Sequence, residues 1–220
     1  ISFTYLLARL IGGLVLSLIQ RTDAGAQILV GIPSTIFAAF IVLGGFLTIM
    51  GRRPWDWTLF GWRRTRRGIS YGLVVLVAVL PLVWLASFIS SLIFGRFEEI
   101  QPVLPLLLTL RNFWLLLYLF LTVALMAPLV EETLFRGILF RALHVQFPLW
   151  TAALLNGVLF ALVHGQLAVM LPIALLGAIF SLLTWRSQSL LPAAAAHAGF
   201  NGLNAIVALL TAWALRGPGG

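Results

Sequence analysis

Long apolar runs without a single charge occupy most of this chain of 220 residues. One of them, residues 113–130, ends directly at two adjacent carboxylates, Glu131 and Glu132. Hydrophobic residues make up 61% of the chain and charged residues 9%, which is too little polar surface for the exterior of a soluble domain of this length. The sequence therefore predicts an all-α integral membrane protein, a polytopic bundle of transmembrane helices.

The apolar runs predict seven or eight membrane spans, and we favour eight. They cover residues 3–20, 28–50, 69–94, 112–143, 149–164, 167–184 and 190–214. At about 1.5 Å per residue the fourth run is roughly 48 Å long, whereas the hydrocarbon core of a bilayer measures about 30 Å. Because Pro128 should bend or break a helix, this run is either one kinked helix or two spans that meet at Glu131. No repeat divides the runs, so we expect a single membrane domain over residues 1–220.

The net charge of +8 is carried by arginine alone, since the chain has no lysine. The arginines gather at the ends of apolar runs, above all in the loop 51–67. This distribution is typical of membrane topology and lipid contact, and it argues against a nucleic-acid partner. The positive-inside rule predicts that loop 51–67 faces the cytoplasm from the cytoplasmic membrane. The chain has no cysteine, which excludes disulfide and thiolate chemistry.

The two adjacent glutamates are costly in this setting. A charged side chain at a helix centre in lipid costs about 2.5–3.5 kcal/mol. Glu132 and Arg136 are four positions apart with the acid first, the favourable order for a helical ion pair, so we expect a structural pair there. Glu131 has no local cation, and an unpaired carboxylate inside a membrane predicts a functional site.

Few other strongly polar residues lie inside apolar runs. His164 ends one run, and His197 and Asn201 lie one helical turn apart in the last run, so they share a helix face. Taken singly, His164 could be a helix-end histidine and Asn201 a helix-packing residue. Asn156 carries no signal of its own. Together, however, these groups on three helices favour a shared polar pocket with Glu131.

Three motifs occur in order along these runs. They are Glu-Glu-x-x-x-Arg at Glu131, Glu132 and Arg136, Phe-x-x-x-His at Phe160 and His164, and His-x-x-x-Asn at His197 and Asn201. This series resembles the CPBP family, the CAAX-processing and bacteriocin-processing intramembrane proteases related to the type II CAAX prenyl endopeptidase. The resemblance lies within residues 112–214.

The resemblance implies an intramembrane endopeptidase that acts on a membrane-associated peptide or protein, either of the prenylated CAAX type or related to bacteriocins. It implies that Glu131 and His164 activate a water molecule, which attacks a peptide carbonyl. It further implies that His197 and Asn201 stabilise the oxyanion that then forms. The residues expected to support these groups are Glu132, Arg136 and Phe160.

We assign no cofactor, but zinc stays open as an alternative. A glutamate, two histidines and a water molecule form a known ligand set of zinc hydrolases, and Glu131, His164 and His197 would be the ligands here. The chain has no His-Glu-x-x-His helix, which would place two ligands one turn apart. We therefore favour the metal-free mechanism.

Two other functions stay open. The first is a proton- or cation-coupled transporter, in which Glu131, His164 and His197 form the ion path; the absence of an internal sequence repeat argues against it. The second is a non-catalytic scaffold or immunity protein that binds a peptide without cleaving it. In every case we expect membrane lipids as partners.

Overall fold

The computed structural model describes residues 66–94 and 112–216, and these are helical almost throughout. In chain order the helices are α1 (Arg66–Phe94), α2 (Phe113–Gln146), α3 (Leu149–His164), α4 (Met170–Ser187) and α5 (Leu191–Arg216). A 3-10 turn at Leu167–Val169 precedes α4. The two described ranges contain no β-strand, which confirms the predicted helical class.

Four helical segments within these ranges are long and apolar enough to cross a membrane. They are Arg67–Phe94, Phe113–Gln146, Leu167–Ser187 and Leu191–Ala214. Helix α3 is also apolar but has only 16 residues. The structure thus supports a helical membrane protein with four candidate spans in its described part, and it does not support the predicted count of seven or eight. The predicted spans 3–20 and 28–50 lie outside the described residues. The same holds for loop 51–67, except for its last two residues, which begin α1.

Helix α2 keeps a helical backbone through Pro128. It is α-helical over Phe113–Leu121, Ala127–Glu132 and Phe140–Gln146, with π-helical turns at Thr122–Met126 and Thr133–Leu139. Residues 113–146 therefore form one long helical segment, not two spans that meet at Glu131. The second π-helical turn begins directly after Glu132. Such turns are rare in proteins overall, but those that occur are often found at functional sites. They change which face of the helix the following side chains occupy.

The described residues fall into two compact units. The smaller unit comprises residues 112–127 and 201–216, and the larger one comprises residues 66–94 and 128–200. In the smaller unit the beginning of α2 packs against the end of α5, where Leu119 and Ala212 are buried together. Asn112 caps α2 there, because its Oδ1 accepts the backbone N–H groups of Trp114 at 2.9 Å and Leu115 at 3.2 Å.

The larger unit has a core formed by α1, α4 and α5. Its buried members are Leu76, Val83, Leu176, Phe180, Leu183, Ala193 and Ala196. Helix α3 joins this unit by packing its backbone directly on that of α4. A Cβ atom added to Gly177 would lie 2.7 Å from the Cα atom of Gly157, closer than real Cβ contacts come. Because neither glycine has a side chain, α3 and α4 approach each other closely here. Phe160, about one turn after Gly157, therefore lies next to α4.

Large apolar side chains stay exposed along every helix. Examples are Trp84 on α1, Leu154 on α3 and Leu210 on α5, with exposed fractions between 59% and 64%. A soluble monomer rarely exposes apolar surface on this scale. The exposed side chains are suited to contact with lipid tails, in agreement with an integral membrane protein.

Candidate active site

The carboxylate of Glu132 forms an ion pair with Arg136 inside the larger unit. The NH1 atom of Arg136 donates to Oε1 of Glu132 at 2.9 Å, and both side chains are 0% exposed. This confirms the pair that the spacing of the two residues predicted. The NH2 atom of Arg136 donates in another direction, to the backbone carbonyl of Gly177 on α4 at 3.1 Å. Arg136 thereby connects α2 with α4.

Three phenylalanine rings surround the guanidinium of Arg136. Its Cζ atom lies 4.3 Å from the ring centroid of Phe160, 5.4 Å from that of Phe180 and 5.8 Å from that of Phe135. A cation over an aromatic face is attracted by the negative face of the ring, by about 2 kcal/mol or more where water is excluded. The rings therefore stabilise the buried positive charge, which no water can reach.

The imidazole of His197 lies between the two adjacent glutamates. Its Nδ1 atom is 2.8 Å from Oε1 of Glu132, and its Nε2 atom is 3.6 Å from Oε2 of Glu131. A carboxylate oxygen that already receives a bond from Arg136 is an acceptor, so Nδ1 of His197 carries the hydrogen. The pairing with Glu132 thus fixes the tautomer of His197 and directs Nε2 towards Glu131.

Glu131 is the more accessible of the two glutamates, with 30% of its side chain exposed. Its Oε2 atom is nevertheless buried and has no hydrogen-bond partner. The 3.6 Å that separate it from Nε2 of His197 exceed a hydrogen-bond length. Two lone pairs would repel each other there, so a proton on either atom, or a small bridging donor such as water, is needed to make the contact favourable. Glu131 therefore forms no ion pair with Arg136 of its own helix, but it faces a cation on α5 whenever His197 is protonated.

His164 ends α3 with a partly exposed side chain. Its Nδ1 atom is 2.7 Å from the carbonyl oxygen of Phe160. Because a carbonyl oxygen can only accept, Nδ1 of His164 must be the donor, and Nε2 of the neutral ring carries the lone pair. The ring also packs edge-on against Phe160, with 4.7 Å between the centroids. His164 therefore presents a basic nitrogen that is not used by its own helix.

The ring of Phe160 joins these groups in space. Besides Arg136 and His164 it contacts His197 at 5.7 Å and Phe135 at 4.9 Å between centroids. The structure thus brings six of the seven motif residues into one cluster in the larger unit. Asn201, the seventh, belongs to the smaller unit, where its Nδ2 atom donates to the carbonyl oxygen of Val123 at 3.0 Å.

A comparison with protein-family models supports this resemblance. Residues 112–203 match the model described as "Type II CAAX prenyl endopeptidase Rce1-like". This part of the chain is therefore similar to the CAAX intramembrane proteases. No curated protein and no solved structure matches the chain significantly. The matched range is rather less than half of the chain, but it contains every residue of the three motifs.

The similarity to the CAAX intramembrane proteases points to the class of membrane-embedded proteases. The polar cluster fits that class because its glutamates and histidines are the side chains that most often act as general acids and bases. The family model leaves the catalytic type and the substrate open. These finer points are argued below from the geometry of the cluster.

The reasoning from sequence missed several residues that contact or extend the polar cluster. Gly177 takes part through its backbone carbonyl, and Phe180 through a ring that lies 5.4 Å from that of His197. Asn156 donates to Ser181 at 2.8 Å, and both are 0% exposed. Asn156 and Ser181 could have been noticed as polar residues within apolar runs. The sequence does not show, however, that the two bond to each other.

The residues of this protease do not fit the zinc alternative as arranged. Within residues 66–94 and 112–216 no three side chains of His, Asp or Glu are grouped so that they could hold a metal ion. Glu131 and His197 face each other at 3.6 Å, and His164 bonds through Nδ1 to the carbonyl of Phe160. We therefore derive no step through a metal from these side chains.

Proposed function

We propose that this chain is an intramembrane endopeptidase that hydrolyses a peptide bond of a membrane-associated substrate. The observation that carries the proposal is the position of His197, whose two ring nitrogens face the carboxylates of Glu132 and Glu131. A path for protons or cations would require only a series of polar groups across the membrane. Here one imidazole is held in a fixed direction, as a hydrogen-bond donor to a developing oxyanion must be.

In the proposed reaction Glu131 is the general base. Its accessible carboxylate removes a proton from a water molecule that Nε2 of His164 also accepts from, and the water oxygen attacks the peptide carbonyl. The carbonyl oxygen becomes an oxyanion while the proton stays on Glu131. When the tetrahedral intermediate collapses, the C–N bond breaks and Glu131 returns the proton to the leaving amine. The products are a carboxylic acid and an amine, so no further reactant is needed.

The proposed oxyanion donor is Nε2–H of protonated His197. Its positive charge would be balanced by Glu132 at 2.8 Å and by Glu131 at 3.6 Å. A preorganised donor of this kind typically contributes about 10²–10³ in rate. Asn201 is kept as a second proposed donor on the strength of the His-x-x-x-Asn motif alone. Its amide group has a second hydrogen beyond the one given to Val123.

The proposed orientation in the membrane places the arginine-bearing end of the larger unit in the cytoplasm. Arg66 and Arg67 begin α1, Arg141 lies near the end of α2 and Arg186 near the end of α4. Gly72 near the beginning of α1 lies against Pro192 at the beginning of α5, and three residues connect α4 to α5. Phe140 near the end of α2 belongs to the same apolar cluster as Leu182 near the end of α4. These four ends therefore lie on one side of the larger unit, and the positive-inside rule favours the cytoplasm for that side. We extend the proposal to a multi-pass protein of the cytoplasmic membrane, with loop 51–67 on the cytoplasmic side. A reporter fused after Arg67 that is active only outside the cell would contradict this orientation.

The test of the proposed function is cleavage of a bilayer-embedded peptide by the purified protein. Prenylated CAAX peptides and bacteriocin-type leader peptides are offered in separate reactions, since the chemistry of the site suits either. We expect cleavage of at least one class, and its loss in Glu131→Gln with an unchanged thermal unfolding profile. Binding without cleavage would favour a scaffold or immunity protein, and proton-coupled flux in liposomes would favour a transporter.

A further inference from the structure

A continuous chain of five buried hydrogen bonds extends from Asn156 on α3 to His197 on α5. Its links are Asn156 Nδ2 to Ser181 Oγ at 2.8 Å, Ser181 Oγ to Gly177 O at 2.8 Å, Arg136 NH2 to Gly177 O at 3.1 Å, Arg136 NH1 to Glu132 Oε1 at 2.9 Å, and His197 Nδ1 to Glu132 Oε1 at 2.8 Å. The side chains in this chain are at most 4% exposed. Four helices of the larger unit are joined by it.

The donor and the acceptor of each bond decide whether this series of bonds can carry protons. The carbonyl of Gly177 and Oε1 of Glu132 each accept two bonds, and Arg136 donates in both directions. A proton cannot pass through an atom that only accepts, nor through a guanidinium that stays protonated. The chain of bonds is therefore a means of holding groups in place and not a path for protons.

We propose that Asn156 and Ser181 are positioning residues for His197, acting through Gly177, Arg136 and Glu132. The proposal rests on the proposed peptidase function of the same site. Neither Asn156 nor Ser181 belongs to the three motifs, and neither contacts an ionisable group directly.

The mechanism begins at the hydroxyl of Ser181. A serine hydroxyl rotates freely unless a partner fixes it, and Asn156 supplies that partner from the neighbouring helix. With the hydroxyl fixed, Ser181 donates to the carbonyl of Gly177 four residues earlier. Such a bond often bends a helix slightly at the accepting carbonyl. The same carbonyl accepts the bond from Arg136.

The next step follows from the planarity of the guanidinium. NH1 and NH2 of Arg136 point in fixed directions relative to each other, so the bond from NH2 to Gly177 also fixes where NH1 points. NH1 in turn sets Oε1 of Glu132, which fixes the imidazole of His197. A reacting group that is misplaced by about 1 Å can lose roughly 10²-fold in rate, so a loss at the far end of this chain should be measurable.

The test removes both remote polar groups together. In Asn156→Leu/Ser181→Ala neither partner is left buried without a bond, so the loss of stability should be small. Leu183→Ala is the matched control, because Leu183 is buried in the same helix as Ser181 but takes no part in the chain of bonds. We expect the double variant to lower kcat about 10-fold with KM unchanged. Leu183→Ala should lower the unfolding temperature and leave kcat unchanged, and Ser181→Thr, which keeps a hydroxyl, should restore most of kcat relative to Ser181→Ala.

A second measurement does not depend on catalysis. The chain has three histidines, so the imidazole ¹⁵N signals of His197 can be assigned by substitution and followed by NMR. In the native protein we expect a protonated, hydrogen-bonded Nδ1. In the double variant we expect this signal to shift or to broaden by exchange between tautomers. Should the double variant not fold, Ser181→Ala alone is measured in the same two ways.

The outcomes separate this proposal from the proposed function. An unchanged His197 spectrum in the double variant overturns the positioning proposal whatever happens to kcat. A changed spectrum with unchanged kcat overturns it too, since His197 would then move without consequence for the reaction. If the native protein cleaves no peptide, the proposed function fails, and the NMR spectra still decide whether Asn156 and Ser181 position His197.

Discussion

Oε1 of Glu132 accepts hydrogen bonds from two different helices at once, from Arg136 at 2.9 Å and from His197 at 2.8 Å. One atom therefore joins a structural ion pair to an imidazole of the proposed active site. The sequence predicted only the first of these bonds, because four-residue spacing within one helix is visible in sequence. Glu132 consequently has to balance the charge of Arg136 and orient His197, and its substitution should affect both stability and rate.

The first prediction concerns the coupling of Glu132 and Arg136. Glu132→Gln should lower the free energy of unfolding by about 3–5 kcal/mol, because it leaves the charge of Arg136 buried without a counterion. Adding Arg136→Met should recover part of that loss, since the second substitution removes the unpaired charge. The measurement is a double-mutant cycle from unfolding in detergent micelles. If the unfolding free energy lost in the double variant equals the sum of the losses in the two single variants, the two side chains are not coupled.

The second prediction concerns His164. Its Nδ1 is committed to the carbonyl of Phe160, which leaves Nε2 as the nitrogen that can accept a hydrogen bond from the attacking water and so orient it. His164→Ala should therefore lower kcat by about 10²–10⁴-fold with little change in KM. His144→Ala is the control, because His144 stacks on Phe140 near the end of α2 and takes no part in the site. Equal effects of the two substitutions would remove His164 from the mechanism.

The third prediction concerns the ring of Phe160. Phe160→Leu keeps an apolar side chain but removes the aromatic face beneath Arg136 and the ring that both site histidines contact. We expect the free energy of unfolding to fall by about 1–2 kcal/mol and kcat to fall as well. The control is Phe88→Leu at an exposed position of α1, which should change neither quantity. A Phe160→Leu protein with native kcat would show that packing around Phe160 is dispensable for the reaction.

The sequence predicted the helical class, the boundaries of most described helices to within a few residues, and six of the side chains that meet in the polar cluster. It did so because apolar runs and four-residue spacings are local properties of the chain. It could not predict that His197 would bond to Glu132 while facing Glu131, because this depends on how α5 is placed against α2. The involvement of Gly177 was likewise hidden, since its contribution is a backbone carbonyl. The sequence left open whether α2 continues through Pro128 or is divided there, because π-helical turns such as those at Thr122–Met126 and Thr133–Leu139 have no signal in sequence.

The fourth prediction tests the crossing of α3 and α4. Gly177→Ala would place a Cβ atom 2.7 Å from the Cα atom of Gly157, where only backbone could move aside. We expect a loss of about 1–3 kcal/mol in the free energy of unfolding, together with a loss of activity as the carbonyl of Gly177 shifts from Arg136. Gly202→Ala in α5 is the matched control, because its nearest heavy atom, Cβ of Ala124, would be 3.8 Å away. There the better helix propensity of alanine should leave stability unchanged or raise it by up to about 1 kcal/mol.

The last prediction concerns metal dependence. A zinc hydrolase needs its ligands to converge on one point with lone pairs directed at the ion. The described residues offer no such group of three. We therefore expect the protein to cleave its peptide at full rate after exhaustive treatment with a strong chelator, at every pH at which the untreated protein is active. The matched sample is the same preparation with zinc added back, which should be no faster. Chelator-sensitive cleavage that zinc restores would contradict this mechanism, because it would require Glu131, His164 and His197 to rearrange around an ion during the reaction.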